Sequence, residues 1–237
     1  MGNKNFTAPA CETCTSRHTS IFADLDGGEL VRFSFQKGCN LYKSGNTIFN
    51  EGSYPSGLYC IHKGKVKIFK NGTEGKEQIL RFAKEGDILG YKSLLSDQPF
   101  SASAAALDEA VICFIPKKSY FDVLQTNPKL SLKMMQLLTQ ELKTAETRIV
   151  ELAQKPVRER LAETILILKE TFGFEEDGKT IAISLTREEI ANIVGTATES
   201  VIRLLSEFKK DGIIDLKGRS ISILDNRELV RTANIDD

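Results

Sequence analysis

The stretch from 186 to 214 contains two short helical patterns joined by one sharp turn. Apolar residues recur at spacings of three and four on both sides of Gly195, as two short amphipathic helices require. A residue without Cβ is favoured where the backbone turns between crossed helices. Thr186 is followed by acidic residues, and Thr198 is followed by Glu199. Each threonine therefore predicts a helix N-terminus. The stretch therefore predicts a helix-turn-helix.

The second helix of such a motif enters the DNA major groove, where its N-terminal residues contact base edges. Glu199 and Arg203 are four residues apart and share one helix face. A carboxylate accepts a hydrogen bond from cytosine N4, and an arginine fork donates to O6 and N7 of guanine. The alternative is a surface ion pair that only supports the helix. Together with the turn, this spacing favours base reading.

Several residues on or beside the motif are candidate DNA contacts. They are Thr186, Arg187, Thr196, Thr198, Glu199, Ser200, Arg203, Lys209, Lys217 and Arg219. Lys217 and Arg219 flank Gly218 at the tip of a predicted β-hairpin, which suits a wing on the phosphate backbone, although a solvated hairpin tip has the same sequence. From Pro156 onward there are 12 Lys and Arg against 16 Asp and Glu, so attraction to DNA must come from local placement of charge.

Length and composition predict a cytoplasmic protein with room for two compact domains. The 237 residues carry a formal net charge of zero. No apolar run approaches the roughly 20 residues that span a bilayer, and the N-terminus has no signal-peptide core. The five cysteines are an odd, irregularly spaced set, so a disulfide framework is not expected.

From about Cys39 to Pro116, regularly spaced glycines interrupt short alternating apolar runs. This punctuation predicts an all-β roll. Residues 58–61 and 65–69 are interpreted as one hairpin around Gly64, and Asn71 with Gly72 as a second turn before the strand 78–82.

A long helix is predicted from Pro128 to about Gln154. Apolar residues at spacings of three and four form a coiled-coil seam over nearly three heptads. The seam residues are Met135, Leu138, Leu142, Ala145, Ile149 and Leu152. A second apolar stripe of Leu130, Met134 and Leu137 faces elsewhere and can pack on the roll, which favours a homodimer over burial of one broad face within a single subunit.

The chain thus divides into four predicted parts. Residues 1–22 are a flexible segment with a C-x-x-C pair, 23–126 the β-roll, 127–155 the dimerisation helix and hinge, and 156–237 a winged helix-turn-helix domain. In the last part, 157–172 is predicted to be an amphipathic helix and 180–185 a short strand.

This order of parts resembles the CRP/FNR family of bacterial transcription regulators across nearly the whole chain. The motifs that carry the resemblance are GDILG at 86–90, the run 107–116, and IANIVGTATESVIRLL with its Glu199 and Arg203. The resemblance implies an α+β fold with an N-terminal jelly-roll-like sensor domain, and a homodimer that reads a palindromic duplex with a TGA-like core in each half-site. It also implies RNA polymerase as a partner, whereas no membrane partner is expected because no apolar run could span a bilayer. Thr198 stands where the cyclic-AMP branch typically has an arginine, which implies a different outer base pair.

The resemblance leaves the effector unknown. Its ligand pocket corresponds to Gly90, Tyr91, Lys92, Ser93, Phe100 and Ser101. Cyclic-AMP-binding members carry a glutamate at the position of Tyr91 and a phosphate-pairing arginine at that of Phe100. Without that cation, the buried phosphate would stand unpaired, which argues against cyclic AMP.

The iron-sulfur branch of the family uses four thiolates. Cys11 and Cys14 resemble its C-x-x-C pair, and Cys113 its distant ligand, but Ser20 stands near the expected place of the fourth. His18 or Cys39 is an alternative fourth ligand for a cluster, and zinc on Cys11, Cys14, His18 and one further ligand is another possibility. If they bind no metal, we expect Cys39, Cys60 and Cys113 to be buried small hydrophobic residues. We expect His62 to be a turn residue.

Two other functional classes stay open. Cupin enzymes also use small β-rolls but gather several histidines, and this chain has only two and no H-x-H pair. No nucleophile stands beside a base in sequence, so we do not expect an enzyme. A β-roll module that binds a small molecule or metal without specific DNA binding is favoured only by the acidic balance of the C-terminal part.

Overall fold

The structure, a computed structural model, describes residues 9–72 and 75–235. They fall into two compact units, each with its own core. The first comprises the residues up to Lys70 together with Leu80–Leu142, and the second comprises Asn71–Ile79 and the residues from Lys143 onward. No described helix is both long enough and apolar enough to cross a lipid bilayer.

The predicted roll contains two four-stranded sheets. The strands are β1 (Gly38–Tyr42), β2 (Thr47–Phe49), β3 (Gly57–Lys63), β4 (Val66–Asn71), β5 (Glu77–Ala83), β6 (Ile88–Leu89), β7 (Ser103–Ala106) and β8 (Ala110–Pro116). Their orders are β1-β8-β3-β6 and β2-β7-β4-β5. One buried cluster joins Ile61 and Ile112 of the first sheet to Val66 and Ala104 of the second. The predicted β-roll is therefore confirmed.

The predicted hairpin around Gly64 is wrong. Strands β3 and β4 flank this glycine but belong to different sheets. Gly64 has φ +97°, and a Cβ there would lie 2.6 Å from the Cα of Ala110. The backbone passes too close to Ala110 for a side chain, and the chain crosses from one sheet to the other at this point.

A second core cluster covers the other side of the β1-β8-β3-β6 sheet. It is formed by residues of two helices, α1 (Gly27–Gln36) and α3 (Lys117–Thr126), with the buried face of α4 (Pro128–Gln154). Phe33, Tyr120 and Leu130 are buried in it. The short helix α2 (Tyr91–Ser96) also contributes Tyr91 and Leu94.

Helix α1 was not predicted from the sequence. It begins at Asp26, whose side chain accepts from the backbone N–H of Glu29 in a complete capping box. The residues before it were expected to be flexible. Residues 1–8 lie outside the described part, but Thr15–Thr19 form a 3-10 helix and Phe22 is 5% exposed, so this part of the segment is folded.

Helix α4 has the predicted bounds and two apolar faces. Leu130 and Met134 are each 2% exposed and join the core of the first unit. Met135, Leu142, Ile149 and Leu152 are between 42% and 67% exposed. The helix thus keeps a long apolar strip on its surface.

The second unit contains the C-terminal elements. They are α5 (Val157–Phe172), α6 (Arg187–Val194), α7 (Thr198–Lys210), β9 (Ile214–Lys217), β10 (Ser220–Ile223) and α8 (Asn226–Ala233). The predicted hairpin of β9 and β10 is confirmed. The strand predicted at 180–185 is wrong, because Thr180 and Ile181 make only isolated bridges, to Ser222 and Phe174. Helix α8, capped by Asp225, was not predicted.

Candidate nucleic-acid interface and sensor cavity

Helices α6 and α7 form the predicted helix-turn-helix. Gly195 ends α6 with φ +73°, the left-handed conformation that favours glycine. The buried faces are Ile190, Ala191 and Val194 on α6, and Val201, Leu204, Leu205 and Phe208 on α7. Burial of these faces fixes the outer face of α7 toward solvent.

The two helix N-termini differ from each other. Thr186 is the N-cap of α6, and its hydroxyl accepts from the Glu189 N–H at 3.0 Å, while the Glu189 carboxylate accepts from the Thr186 N–H at 2.8 Å. The N-cap of α7 is Ala197, with no side-chain cap. The prediction that Thr198 caps α7 is therefore wrong by one position, since Thr198 lies inside the first turn.

Glu199 and Arg203 are exposed on the same face of α7, in its N-terminal half. They do not pair with each other. The Arg203 guanidinium donates to the Glu207 carboxylate at 2.6 Å, and Arg203 is 66% exposed. The alternative interpretation, an ion pair between Glu199 and Arg203, is therefore not what the structure shows.

The other candidate DNA contacts surround this face. Thr186, Arg187, Thr196, Thr198 and Ser200 are half-buried, and Lys209, Lys217 and Arg219 are exposed. Arg187 donates to the Gly218 carbonyl at 3.0 Å, which ties the start of α6 to the wing tip. Burial lowers the pKa of Arg187. Lys209 pairs with Asp215 at 2.8 Å. The face thus combines an exposed carboxylate and guanidinium with cations at its edge.

The predicted effector-pocket residues are packed against the protein itself. Tyr91, Ser93 and Phe100 are buried, and Gly90 is half-buried. The Phe100 ring stacks on Phe49 with centroids 4.1 Å apart. An aromatic stack therefore occupies the position where the resemblance implies a phosphate-pairing arginine.

Lys92 and Ser101, the remaining two residues of this set, are exposed. Lys92 pairs with Glu141 of α4 at 2.5 Å, and Arg81 pairs with the same carboxylate at 3.2 Å. Burial opposes ionisation of Glu141, but Arg81 and Lys92 outweigh it and hold its pKa below the ordinary value. These pairs link the end of the roll to α4 within the first unit.

A separate cavity lies between the β1-β8-β3-β6 sheet and the N-terminal segment. Its lining includes Cys11, Cys14, Cys60, His62 and Cys113. Three of the four predicted metal ligands thus meet here. The fourth, His18, is exposed and outside the lining. Ser20, near the position where the resemblance implies a ligand, also lines the cavity.

Cys39 and Cys113 form a disulfide. This single bond is not the disulfide framework that was not expected, but the interpretation of both residues as buried small hydrophobes is wrong, because their sulfurs are bonded. The reason is register: Cys39 on β1 lies directly opposite Cys113 on β8 in an antiparallel pair, and directly opposed side chains in such a pair are close neighbours. Their separation of 74 residues in sequence hid this proximity.

The free thiols have specific polar neighbours. Lys37 Nζ lies 3.3 Å from Cys11 Sγ, and His62 Nδ1 lies 3.2 Å from Cys14 Sγ. Burial raises the pKa of the Cys60 thiol, and Cys11 and Cys14 act in the same direction. Burial lowers the pKa of His62. Among residues 9–72 and 75–235, no three His, Cys, Asp or Glu side chains are arranged to hold a metal ion.

Comparisons with known proteins agree with this architecture. A cyclic nucleotide-binding domain model matches residues 40–127, and a Crp-like helix-turn-helix model matches residues 159–232. The fumarate and nitrate reduction regulatory protein of Vibrio cholerae is 30% identical over 95% of this chain and 90% of its own length. The chain belongs to the CRP/FNR family.

Other members of the CRP/FNR family are similar over most of the chain. The CRP-like cAMP-activated global transcriptional regulator of Mycobacterium tuberculosis is 31% identical over 81% of this chain and 86% of its own. The fold of FixK2 from Bradyrhizobium japonicum matches with a TM-score of 0.76 at 22% identity, over 85% of this chain and 99% of that one. This CRP/FNR protein is a DNA-binding transcription regulator, as its relatives and its helix-turn-helix domain show.

Cys11 and Cys14 lie before the region that the cyclic nucleotide-binding model matches. Cys60 and His62 also line this CRP/FNR protein's cavity, and they were not predicted as site residues. Their spacing of two on β3 was the available signal, because it places both side chains on one face of a strand.

The capping box of α6 provides a direct test of the motif's stability. We expect Thr186→Ala to lower the free energy of unfolding by about 0.5–2 kcal/mol, because the Glu189 N–H loses its acceptor. Thr198→Ala is the matched control, since α7 has no side-chain cap. Urea denaturation followed by circular dichroism measures both variants. Equal losses would show that the Thr186 cap contributes nothing specific.

Proposed function

We propose that this regulator is a homodimer that binds a palindromic duplex with a TGA-like core in each half-site. The observation that carries the proposal is the exposed pair of Glu199 and Arg203 on one face of α7, whose opposite face is buried. A carboxylate and a guanidinium one turn apart suit cytosine and guanine edges of neighbouring base pairs. The protein would act in the cytoplasm, with RNA polymerase as a further partner.

The apolar strip on α4 supports the dimer. Met135, Leu142, Ile149 and Leu152 are at least 42% exposed, Ala145 is exposed and Leu138 half-buried. Their a and d spacing is that of a two-stranded coiled coil. Packing against the same strip of a second copy removes this apolar surface from water. Two-fold symmetry in the protein then implies two-fold symmetry in the DNA site.

Selection from a pool of random-sequence duplexes by the full-length protein tests the DNA site. We expect enrichment of an inverted repeat whose half-sites contain a TGA-like core, centred about one helical turn apart. Enrichment of one unrepeated element would contradict the dimeric reading. No enrichment at all would favour a sensor module without specific DNA binding.

We infer that the cysteine-lined cavity is the sensory site of the effector domain. The stack of Phe49 on Phe100 argues against a cyclic nucleotide at the family's position, since the phosphate would meet an aromatic ring there and no guanidinium. The cavity instead gathers thiols on a fixed sheet and a folded N-terminal segment.

The side chains of the cavity are of the types that bind soft metals, but they are not arranged as a complete ligand set. Thiolates are the ligands of iron-sulfur clusters, and thiolate and imidazole those of zinc. With Cys113 in a disulfide and His18 exposed, neither predicted ligand set is complete. We therefore propose a thiol-based sensor and assign no metal to this arrangement.

Metal and sulfide analysis of protein purified without oxygen tests this assignment. We expect less than one iron or zinc per subunit and no acid-labile sulfide, because Cys113 is occupied by Cys39. Roughly four irons and four sulfides per subunit would instead identify a cubane cluster. About one zinc per subunit would make Cys11 and Cys14 structural ligands. We also expect that addition of cyclic AMP leaves the affinity of the protein for duplex DNA unchanged.

A further inference from the structure

Three cysteines lie in one row across the β1-β8-β3-β6 sheet. Cys113 on the central strand β8 is directly opposite Cys39 on one side and directly opposite Cys60 on the other. Directly opposed side chains in an antiparallel pair point to the same face of the sheet. The disulfide between Cys39 and Cys113 therefore has a free thiol beside it.

The C-x-x-C pair lies over the same cavity. Cys11 and Cys14 line it together with Cys113. The two residues share a tight turn in which the Cys14 N–H donates to the Cys11 carbonyl at 3.4 Å. The Lys37 ammonium lies 3.3 Å from Cys11 Sγ.

Cys113 is more deeply buried than the other four cysteines. Cys113 is 6% exposed, whereas Cys11, Cys14 and Cys39 are half-buried. A regulator that binds the chromosome works in a reducing compartment, where disulfides are transient or regulatory. A reductant from solution meets the C-x-x-C pair more easily than it meets Cys113.

We propose that Cys11 and Cys14 relay electrons from an external dithiol to the Cys39–Cys113 disulfide, so that the cavity is a thiol–disulfide exchange site. The proposal deepens the sensory role proposed above for this cavity and rests on it. The co-reactant class is a dithiol, either a small molecule or a protein with two vicinal thiols.

The exchange proceeds in three balanced steps. The Cys11 thiolate attacks the sulfur of Cys113, a residue that lines the cavity. The Cys39–Cys113 bond breaks, and Cys39 leaves as a thiolate. Cys14 then attacks Cys11, which forms the Cys11–Cys14 disulfide and releases Cys113. The protons lost by Cys11 and Cys14 are taken up by Cys39 and Cys113. Finally, the external dithiol reduces the Cys11–Cys14 bond and is itself oxidised to a disulfide.

The exchange changes the connection between two structural elements. The disulfide joins β1, which follows α1, to β8, which leads directly into α3 and then α4. Helix α1 also holds this region, since Asn127 between α3 and α4 donates to Glu29 at 2.8 Å. Reduction removes the covalent tie between β1, which follows α1, and β8, which precedes α3.

Thiol trapping with mass spectrometry tests the relay. The oxidised full-length protein is mixed with dithiothreitol, quenched with an alkylating reagent at timed intervals, and digested, so that each cysteine is scored as free or bonded. In the unsubstituted protein we expect a Cys11–Cys14 disulfide to appear before Cys39 and Cys113 become fully reduced. In Cys11→Ser and Cys14→Ser we expect reduction of Cys39–Cys113 to slow at least about tenfold.

Cys60→Ser is the matched control, because Cys60 lines the same cavity but lies outside the C-x-x-C pair. Its reduction rate is expected to stay within about twofold of the unsubstituted protein. Slower reduction in Cys60→Ser, with no change in Cys11→Ser, would overturn the proposed route. If Cys39 and Cys113 are still free thiols after mild oxidation, the disulfide is absent and the proposal is wrong. This measurement uses the unsubstituted protein, so it does not depend on whether a variant folds.

The affinity of the protein for duplex DNA tests the sensory role independently of the relay. The oxidised and reduced forms are compared on the selected DNA site, with Cys39→Ser as a form that cannot make the bond. We expect the oxidised form to differ at least about fivefold from both the others. An ordered relay without any change in affinity would retain the exchange chemistry and reject the sensory role.

Discussion

Replacement of Leu142 and Ile149 by aspartate is expected to separate the subunits and to lower affinity for the selected DNA site on the order of a thousandfold. Both side chains lie on the α4 strip, where they are 61% and 67% exposed. In the dimer, each aspartate would face its counterpart across a coiled-coil seam, where two buried like charges cannot both stay ionised at low cost. A monomer reaches one half-site and loses the contribution of the second.

Sedimentation velocity measures the separation, and fluorescence anisotropy with a labelled duplex measures the affinity. Val150→Asp is the matched control, because Val150 lies on the same helix, is 52% exposed, and occupies a position outside the a and d spacing. It should remain dimeric and bind normally. The fold of each variant is checked by circular dichroism. A dimeric Leu142→Asp/Ile149→Asp protein would show that the subunits meet elsewhere.

Arg203→Ala is expected to weaken binding at the selected site by about 1–3 kcal/mol, with little change on random DNA. The loss should be concentrated at one base pair of each half-site, because a guanidinium reads guanine through two parallel hydrogen bonds. Arg203 must first leave Glu207, its partner at 2.6 Å. This is a low barrier, since exposed ion pairs of this kind contribute only about 0–1 kcal/mol.

Lys209→Ala is the comparison for Arg203→Ala. Lys209 lies at the C-terminal end of α7 beside Asp215, away from Arg203, and we propose it as a backbone-phosphate contact. Loss of the Lys209 side chain should weaken binding to the selected site and to random DNA alike. It should also reduce the slope of log affinity against log salt concentration by about one. If Arg203→Ala behaves in the same way, Arg203 is a phosphate contact and the base-reading role is wrong.

The sequence predicted helix bounds best where a local signal marks each end. Pro128 begins α4 and Gly195 ends α6, as expected from the fixed φ of proline and the positive φ of glycine. The capping box of Thr186 and Glu189 is likewise a property of four consecutive residues. Where the local signal was ambiguous, as at Thr198, the cap shifted by one residue to Ala197.

Pairing between distant segments was much less predictable. Strands β3 and β4 are adjacent in sequence with a glycine between them, yet they belong to different sheets. Local turn signals cannot tell a hairpin from a crossing of this kind, because the choice depends on which sheet offers each strand a partner. The aromatic stack of Phe49 on Phe100 joins residues 51 positions apart for the same reason.

By itself, the sequence determined the order of the parts, the helix-turn-helix and the apolar strip of α4, because periodicity and caps act within a few consecutive residues. Only the tertiary structure decided how the cysteines are arranged. Register between β1 and β8 places Cys39 against Cys113, and packing of the N-terminal segment brings Cys11 and Cys14 to the same cavity. Register and packing depend on the whole set of strands and buried faces that close the roll, so no short stretch of sequence carries them.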